Sequence, residues 1–290
     1  MAIPPSRRAF SRALTRWHAT HRRDLAVRRT SDPWAILVAE VMSQQTQIER
    51  VGPAWERFIA RWPDATSLAN AGPQELLRAW AGLGYNRRAL ALREAARTIV
   101  RDHGGTVPGS VDELERLTGI GPYTARAVAA SAFGVPVAPL DVNVRRVVGR
   151  VIGGDLPPKQ LQAQADMLVA RRDARDWVDG VMDLAATVCR PRTPRCAECP
   201  LRAMCATRAG GRATSQRASP APAPRFPSTN RWLRGRLLAA VREAPAGAWV
   251  DAPDGLGEHD RSAVLAALRG LERDGFVELR DGQARLATDA

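Results

Sequence analysis

Apolar side chains recur along most of this chain at three- and four-residue intervals, the period of a helix buried on one face. Phe10, Leu14 and Trp17 make the first such stripe, an amphipathic helix within an arginine-rich N-terminus. Trp34, Leu37, Val38 and Val41 make the second; Asp32 can cap that helix and Pro33 suits its first turn. Leu76, Leu77 and Trp80 form another stripe, and Leu90, Leu92, Ala95 and Ala96 a further one. Gly52-Pro53, Gly72-Pro73, Gly104-Gly105 and Pro108-Gly109 punctuate them. Ser110 and Glu113 have the spacing of a capping box, opening a helix that ends at Leu117. No alternating stretch of strand type interrupts residues 32–140, so they read as an all-α domain of six helices.

The pattern changes towards the C-terminus. Residues 207–227 are rich in Arg, Ala, Ser and Pro and contain no acid, which is the composition of a linker. Beyond it, Leu233, Leu237, Leu238 and Val241 make one helix, and Val264, Leu265, Leu268 and Leu271 another. Phe276–Leu279, the turn Asp281-Gly282 and Ala284–Leu286 read as a β-hairpin. Helices followed by a hairpin suggest a small winged-helix-like α+β module over 228–290. The expected organisation is therefore mainly α: a six-helix domain over 32–140, a second helical domain from 1–31 and 141–206, the linker, and the module.

Charge narrows the class of partner. Lys and Arg number 43 against 30 Asp and Glu, giving a net charge of +13. Such an excess suits a polyanion, nucleic acid above all. Lys159 is the sole lysine, so nearly all the positive charge is guanidinium, which grips phosphate through two parallel hydrogen bonds. No apolar run approaches the roughly 18 residues of a membrane span. A cytoplasmic, nucleoid-associated monomer is the expectation.

Cys189, Cys196, Cys199 and Cys205 are the chain's four cysteines, spaced C-x6-C-x2-C-x5-C. Structural zinc sites usually pair two C-x2-C knuckles or add histidine, and neither feature is present near these residues. The spacing favours a [4Fe–4S] cluster. Arg190, Arg192, Arg195 and Arg202 are interleaved with the ligands, placed to face a phosphate backbone. Leu117–Ala125 reads as a helix, a tight turn built on Gly119 and Gly121, and a second helix from Pro122. The amides at that helix start suit an anion such as a DNA phosphate. Two carboxylates complete the picture. Glu40 lies beside an apolar stripe, where burial would raise its pKa and equip it to protonate a leaving group. Asp141 follows the apolar Val135–Leu140 stretch at a helix N-cap position.

Taken together, Glu40 with Gln44-Gln45-Thr46, Gly82-Leu83-Gly84-Tyr85, the glycine hairpin, Asp141-x-Asn143 and the four cysteines resemble the helix-hairpin-helix DNA glycosylases, the adenine DNA glycosylases of the MutY type most closely. The likeness spans roughly Arg23 to Cys205. It implies a two-lobed fold with a [4Fe–4S] loop, acting on a base flipped out of duplex DNA. By this resemblance, Glu40 protonates adenine at N7 and Asp141 stabilises the oxocarbenium ion of the sugar, a division of labour between two carboxylates. Asn143 supports the catalytic carboxylate, Gln45 and Tyr85 wedge into the duplex, Thr46 meets the opposite base, and Gln44 lies in the same DNA-contacting loop. Arg23, Leu25 and Arg28 match a motif that helps enclose the adenine, although Ala26-Val27 stand where the family has Pro-Trp. Either a stacking surface is missing there, or Trp34 or another aromatic takes its place.

Tyr123 occupies the position at which strand-cleaving relatives carry a nucleophilic lysine, so the resemblance implies a glycosylase without lyase activity. The expected substrate is adenine mispaired with 8-oxoguanine or guanine in double-stranded DNA. Two alternatives stand beside it. One is excision of another base, such as thymine or uracil opposite guanine, or hypoxanthine. The other is a non-catalytic iron–sulfur protein that only binds lesions; two carboxylates facing DNA argue against it. By the resemblance, the chain is expected to be a short form, with this small module where longer relatives carry a Nudix-like domain.

Overall fold

The computed structural model describes residues 6–154, 156–209 and 225–288, so most of the expected linker lies outside the described residues. Helices dominate: α1 (Arg7–His21), α2 (Pro33–Ser43), α3 (Ile48–Arg61), α4 (Ala65–Ala69), α5 (Pro73–Ala79), α6 (Arg87–His103), α7 (Val111–Glu115), α8 (Pro122–Phe133), α9 (Val142–Ile152), α10 (Pro158–Leu168), α11 (Ala174–Thr187) and α12 (Ala206–Ala209) precede the C-terminal module. Among the described residues no helix is long and apolar enough to cross a membrane. The chain gathers into two compact units. One takes the N-terminus up to Val41 and resumes at Thr106 through the cysteines; the other takes Met42–Gly105 and the C-terminal module.

In the first unit, α1 lies against α11. Phe10 and Leu14 are fully buried, and the Phe10 ring meets Trp177 with centroids 6.0 Å apart. Gly180 permits the approach, since a Cβ there would stand 3.2 Å from Leu14 and 3.3 Å from His18. Val144, Val147, Val148 and Val151 of α9 complete the same core with Leu184 and Leu201. The hairpin between α7 and α8 forms as the sequence suggests. Ser110 accepts from the Glu113 amide at 3.2 Å, and Gly119 turns the chain with φ of 79°.

In the second unit, Val51, Phe58, Trp62, Leu68, Leu76, Trp80, Leu92 and Ile99 of α3–α6 are buried. The C-terminal module contributes α13 (Asn230–Glu243), β1 (Val250–Asp251), β2 (Gly255–Leu256), β3 (His259–Asp260), α14 (Arg261–Arg273), β4 (Val277–Arg280) and β5 (Gln283–Leu286). The expected hairpin is β4–β5, with Val277 opposite Leu286 and Arg280 opposite Gln283. Asp281 and Gly282 both take positive φ at its tip, as a two-residue primed turn requires. Two features were not expected from the sequence. β1 adds a third strand beside β5, and β2 and β3 form a tiny separate ribbon. These strands are two residues long, too short for alternation to register. The module's core, built on Leu237, Val264, Leu268, Leu271, Phe276 and Leu286, also includes Leu77 of α5.

Candidate active site

Glu40 sits in α2, which Asp32 opens by accepting from the Trp34 and Ala35 amides at 3.2 and 3.1 Å. Protein encloses its carboxyl, although part of the residue stays accessible. Burial raises that carboxyl to about 7; the charges of Asp179 and Asp141 push the same way, and Arg28 opposes them. Near neutral pH such a group exists in both forms, the condition for a general acid.

Asp141 caps α9. One carboxylate oxygen accepts from the Asn143 and Val144 amides at 2.8 and 2.7 Å, and the other from the Asn143 side chain at 2.7 Å. Three donors fix its orientation. Asn143 is fixed in turn by Arg146 Nη1 at 3.0 Å, and Arg146 Nε donates to the carbonyl of Cys189 at 2.8 Å. Tyr123 lies in the first turn of α8. Burial first, then the charges of Glu40, Asp141 and Asp179, hold its phenol well above the usual tyrosine range. It is therefore a neutral hydroxyl in the company of three carboxyls. Glu40, Tyr123 and the Asp141–Asn143 pair, from three separate segments of the sequence, belong to one constellation.

The structure adds two acids that sequence reasoning passed over. Asp179 and Asp183 lie one turn apart on α11, and both bind arginines of the N-terminal motif. Arg28 Nε pairs with Asp179 at 2.8 Å and its Nη1 with Asp183 at 2.8 Å, while Arg23 Nε pairs with Asp183 at 2.6 Å. Asp183 is fully buried, and burial alone would raise its pKa. Hydrogen bonds from His18, Arg28 and Arg23 outweigh that and hold it well below the usual carboxylate range. Arg23 and Arg28 are thus committed to these acids within the protein. With Leu25, Arg22, Asp24 and Arg29 they line a cavity of about 360 Å³. Trp34 is only 4 % exposed, leaving little of its ring for a base. Two acids at i and i+4 inside the apolar run Trp177–Leu184 were the available signal, since buried acids need partners.

The four cysteines line one cavity of about 330 Å³, walled by Val147, Val151, Leu184, Val188 and Leu201. They surround it rather than converge: among the described residues no three His, Cys, Asp or Glu side chains could chelate a single metal ion. Four thiols around a largely apolar chamber fit a multi-atom cluster better than one zinc ion. Arg150 clamps the loop, donating to the carbonyls of Arg190 and Pro191 at 2.8 and 2.7 Å and approaching Cys189 Sγ at 3.4 Å. Arg190, Arg192, Arg195 and Arg202 are exposed around it. In the hairpin, Gly121 begins α8 without any side-chain cap.

In the other unit, Gln44, Gln45 and Thr46 follow α2, and Tyr85 ends the Gly82–Gly84 turn. Gln45 and Tyr85 both adopt left-handed backbone, with φ of 55° and 44°. For residues with a Cβ this costs about 1–2 kcal/mol each. Both are exposed, Tyr85 by 38 %. Arg88 ties the two segments together. Its Nη1 donates to the Met42 carbonyl at 2.8 Å, and its Nη2 to Thr46 Oγ1 at 3.0 Å and to the Leu83 and Gly84 carbonyls, each at 3.1 Å. Nothing in the run Asn86-Arg87-Arg88 marked that arginine in advance.

Comparison with known proteins places this geometry. Residues 38–171 match the family described as HhH-GPD superfamily base excision DNA repair protein. The chain is 41 % identical over 280 residues to the adenine DNA glycosylase of Mycolicibacterium smegmatis, covering 94 % of each. A solved thermostable thymine-DNA glycosylase superposes with a TM-score of 0.67 at 32 % identity, over 70 % of this chain and 97 % of that one. An endonuclease III bound to DNA shares the fold, with a TM-score of 0.59 at 21 % identity over 71 % of this chain and 98 % of that one. With 41 % identity across nearly its whole length, the chain belongs to the HhH-GPD superfamily of base excision repair proteins, as a DNA N-glycosylase of the MutY type.

Proposed function

We propose that the substrate is adenine mispaired with 8-oxoguanine or guanine, and that the enzyme leaves an abasic site without nicking the strand. The observation that carries the chemistry is the unlike environment of two carboxyls in one constellation: Glu40 lifted to about 7 by burial, and Asp141 fixed by three N–H donors. Protonated Glu40 gives its proton to the departing base; the Asp141 carboxylate faces the cationic sugar as the bond breaks. Tyr123, a neutral hydroxyl beside both, orients the leaving base or the incoming water. The sole lysine, Lys159, is exposed in the first turn of α10, and Tyr123 itself is no Schiff-base former. Likeness to an adenine glycosylase along 94 % of the chain, reaching into the C-terminal module, supports adenine as the base.

Cys189, Cys196, Cys199 and Cys205 would hold a [4Fe–4S] cluster, which supplies a covalent cross-link for the arginine-bearing loop. Gln45, Tyr85 and Thr46 would enter the duplex where the base leaves it, and Gly119 and Gly121 would present backbone amides to a phosphate.

Val27 in place of a stacking tryptophan favours, as a second reading, a pocket for a smaller base such as thymine. Single-turnover assays separate the two, using duplexes with adenine opposite 8-oxoguanine or guanine, thymine or uracil opposite guanine, and hypoxanthine, each read with and without alkali. The expected result is alkali-dependent cleavage at adenine, lowered at least about a hundredfold in Glu40→Gln. Cleavage confined to thymine or uracil would replace adenine as the substrate, and strand breaks without alkali would refute the absence of lyase activity.

A further inference from the structure

Two guanidinium groups lie over the Tyr85 ring. The Arg88 guanidinium lies 5.6 Å from its ring centroid, and that of Arg231 lies 4.4 Å away. Arg88 belongs to the same segment of chain; Arg231 comes from α13, in the C-terminal module. It stands in the first turn of that helix, where no acid accompanies it and the helix dipole disfavours a cation. The face of the Tyr85 ring offers the compensating negative charge.

The helix that carries Arg231 is pinned in place. Arg242, near its far end, donates to the side chain of Asn86, the residue after Tyr85. Arg78 donates to the carbonyls of Arg242 and Ala244 at 3.3 and 2.8 Å, and Leu77 is buried in the module's own core. A side chain delivered by an element tied down in this way is held in a defined position relative to the Tyr85 turn. Tyr85 itself is exposed and in left-handed backbone, a conformation that persists only where the surroundings impose it.

We propose that Arg231 is a positioning residue for lesion reading: the C-terminal module holds the Tyr85 ring, through this stack, in the orientation in which it enters the duplex. The inference rests on the reading of Tyr85 as a wedge. It gives the module, by way of one side chain, a part in lesion reading by the Tyr85 turn of its own unit.

The test uses the full chain with its cluster and a short duplex carrying adenine opposite 8-oxoguanine. A 2-aminopurine beside the target adenine reports unstacking, followed in Glu40→Gln so that no base is cut. Arg231 is exposed, so its substitution leaves the fold intact. Arg231→Ala is expected to slow unstacking and single-turnover excision about three- to fivefold, the scale of an exposed cation–π contact. Affinity for fully paired duplex should change less than about twofold. Arg231→Lys, which keeps the charge without the planar stack, should restore only part of the rate. In a Tyr85→Ala background Arg231→Ala should cost nothing more.

Several outcomes would overturn the proposal: no effect of Arg231→Ala, an equal loss of affinity on paired and mispaired duplex, complete rescue by lysine, or an undiminished effect without Tyr85. A Tyr85→Ala chain that unstacks the reporter as fast as the unaltered one would sink the wedge reading, and this proposal with it. A loss in Tyr85→Ala with none in Arg231→Ala removes this proposal alone.

Discussion

At the scale of single residues, the site is a balance of burial against charge. Glu40 is raised by enclosure and by two neighbouring acids, while Arg28 pulls it down; Asp183, which has no exposed surface, goes the other way because three donors reach it. The same opposition has a consequence for stability. A carboxyl whose folded pKa lies above its unfolded value binds more protons in the native state, so stability falls as pH rises between the two. For Glu40 that window runs from 4.5 to about 7, and the penalty is fully present above it. Glu40→Gln removes the penalty together with the acid. Thermal melts should show the variant more stable than the parent at pH 8, by at most roughly 3 kcal/mol and less for the part of the residue that water reaches. At pH 4 the two should coincide. Equal melting at both pH values would mean that Glu40 titrates as an ordinary carboxyl, and the general-acid assignment would lose its support.

Elements differ in how plainly the sequence announces them. Helices with a continuous apolar face, such as α1, α13 and α14, were legible from spacing alone, and so was the β4–β5 hairpin from its Asp-Gly turn. That the four cysteines would gather was legible from their spacing, and the structure sets them around one cavity. Pairings between remote elements were not. Arg23 and Arg28 stood out as members of a base-enclosing motif, yet their partners Asp179 and Asp183 are carried by α11, and no local pattern in either segment names the other. Backbone strain was also silent: Gln45 and Tyr85 gave no sign of positive φ, because a residue with a Cβ takes that conformation only when its surroundings require it. The strain at Gln45 is separable from its side chain. Gln45→Gly should leave the native loop unstrained and raise stability by about 0.5–1 kcal/mol, net of the freer unfolded chain. The proposed wedge is lost in the same step, so excision should slow while chemical denaturation shifts to higher denaturant. A variant that is destabilised would show that the Gln45 side chain contributes more to the loop than its backbone conformation costs.

For the whole molecule, the lesson is that the C-terminal module belongs to the core of the unit it completes. Its apolar pattern is self-contained and a linker precedes it, the outline of an appended domain. In the structure its core closes over Leu77, while Gln74 donates to the Leu286 carbonyl at 3.0 Å and Arg78 to two carbonyls at the C-terminal end of α13. Leu77 could not be assigned from α5 alone, because a stripe read from sequence shows that a side chain is buried but not against what. Removing everything after α12 would therefore uncover a leucine that is now 0 % exposed and leave Gln74, Arg78 and Asn86 without these hydrogen-bond partners. Exposing one leucine costs about 2 kcal/mol, enough by itself to lower the melting temperature by roughly 5 °C. The shortened chain should also bind a dye that reports apolar surface. Leu77→Gln gives the decisive comparison: it should improve the solubility of the shortened chain and destabilise the complete one, where the amide would be buried without a partner. If the shortened chain melts with the full one and Leu77→Gln has the same effect in both, the module is a tethered passenger, and its helix cannot hold Tyr85.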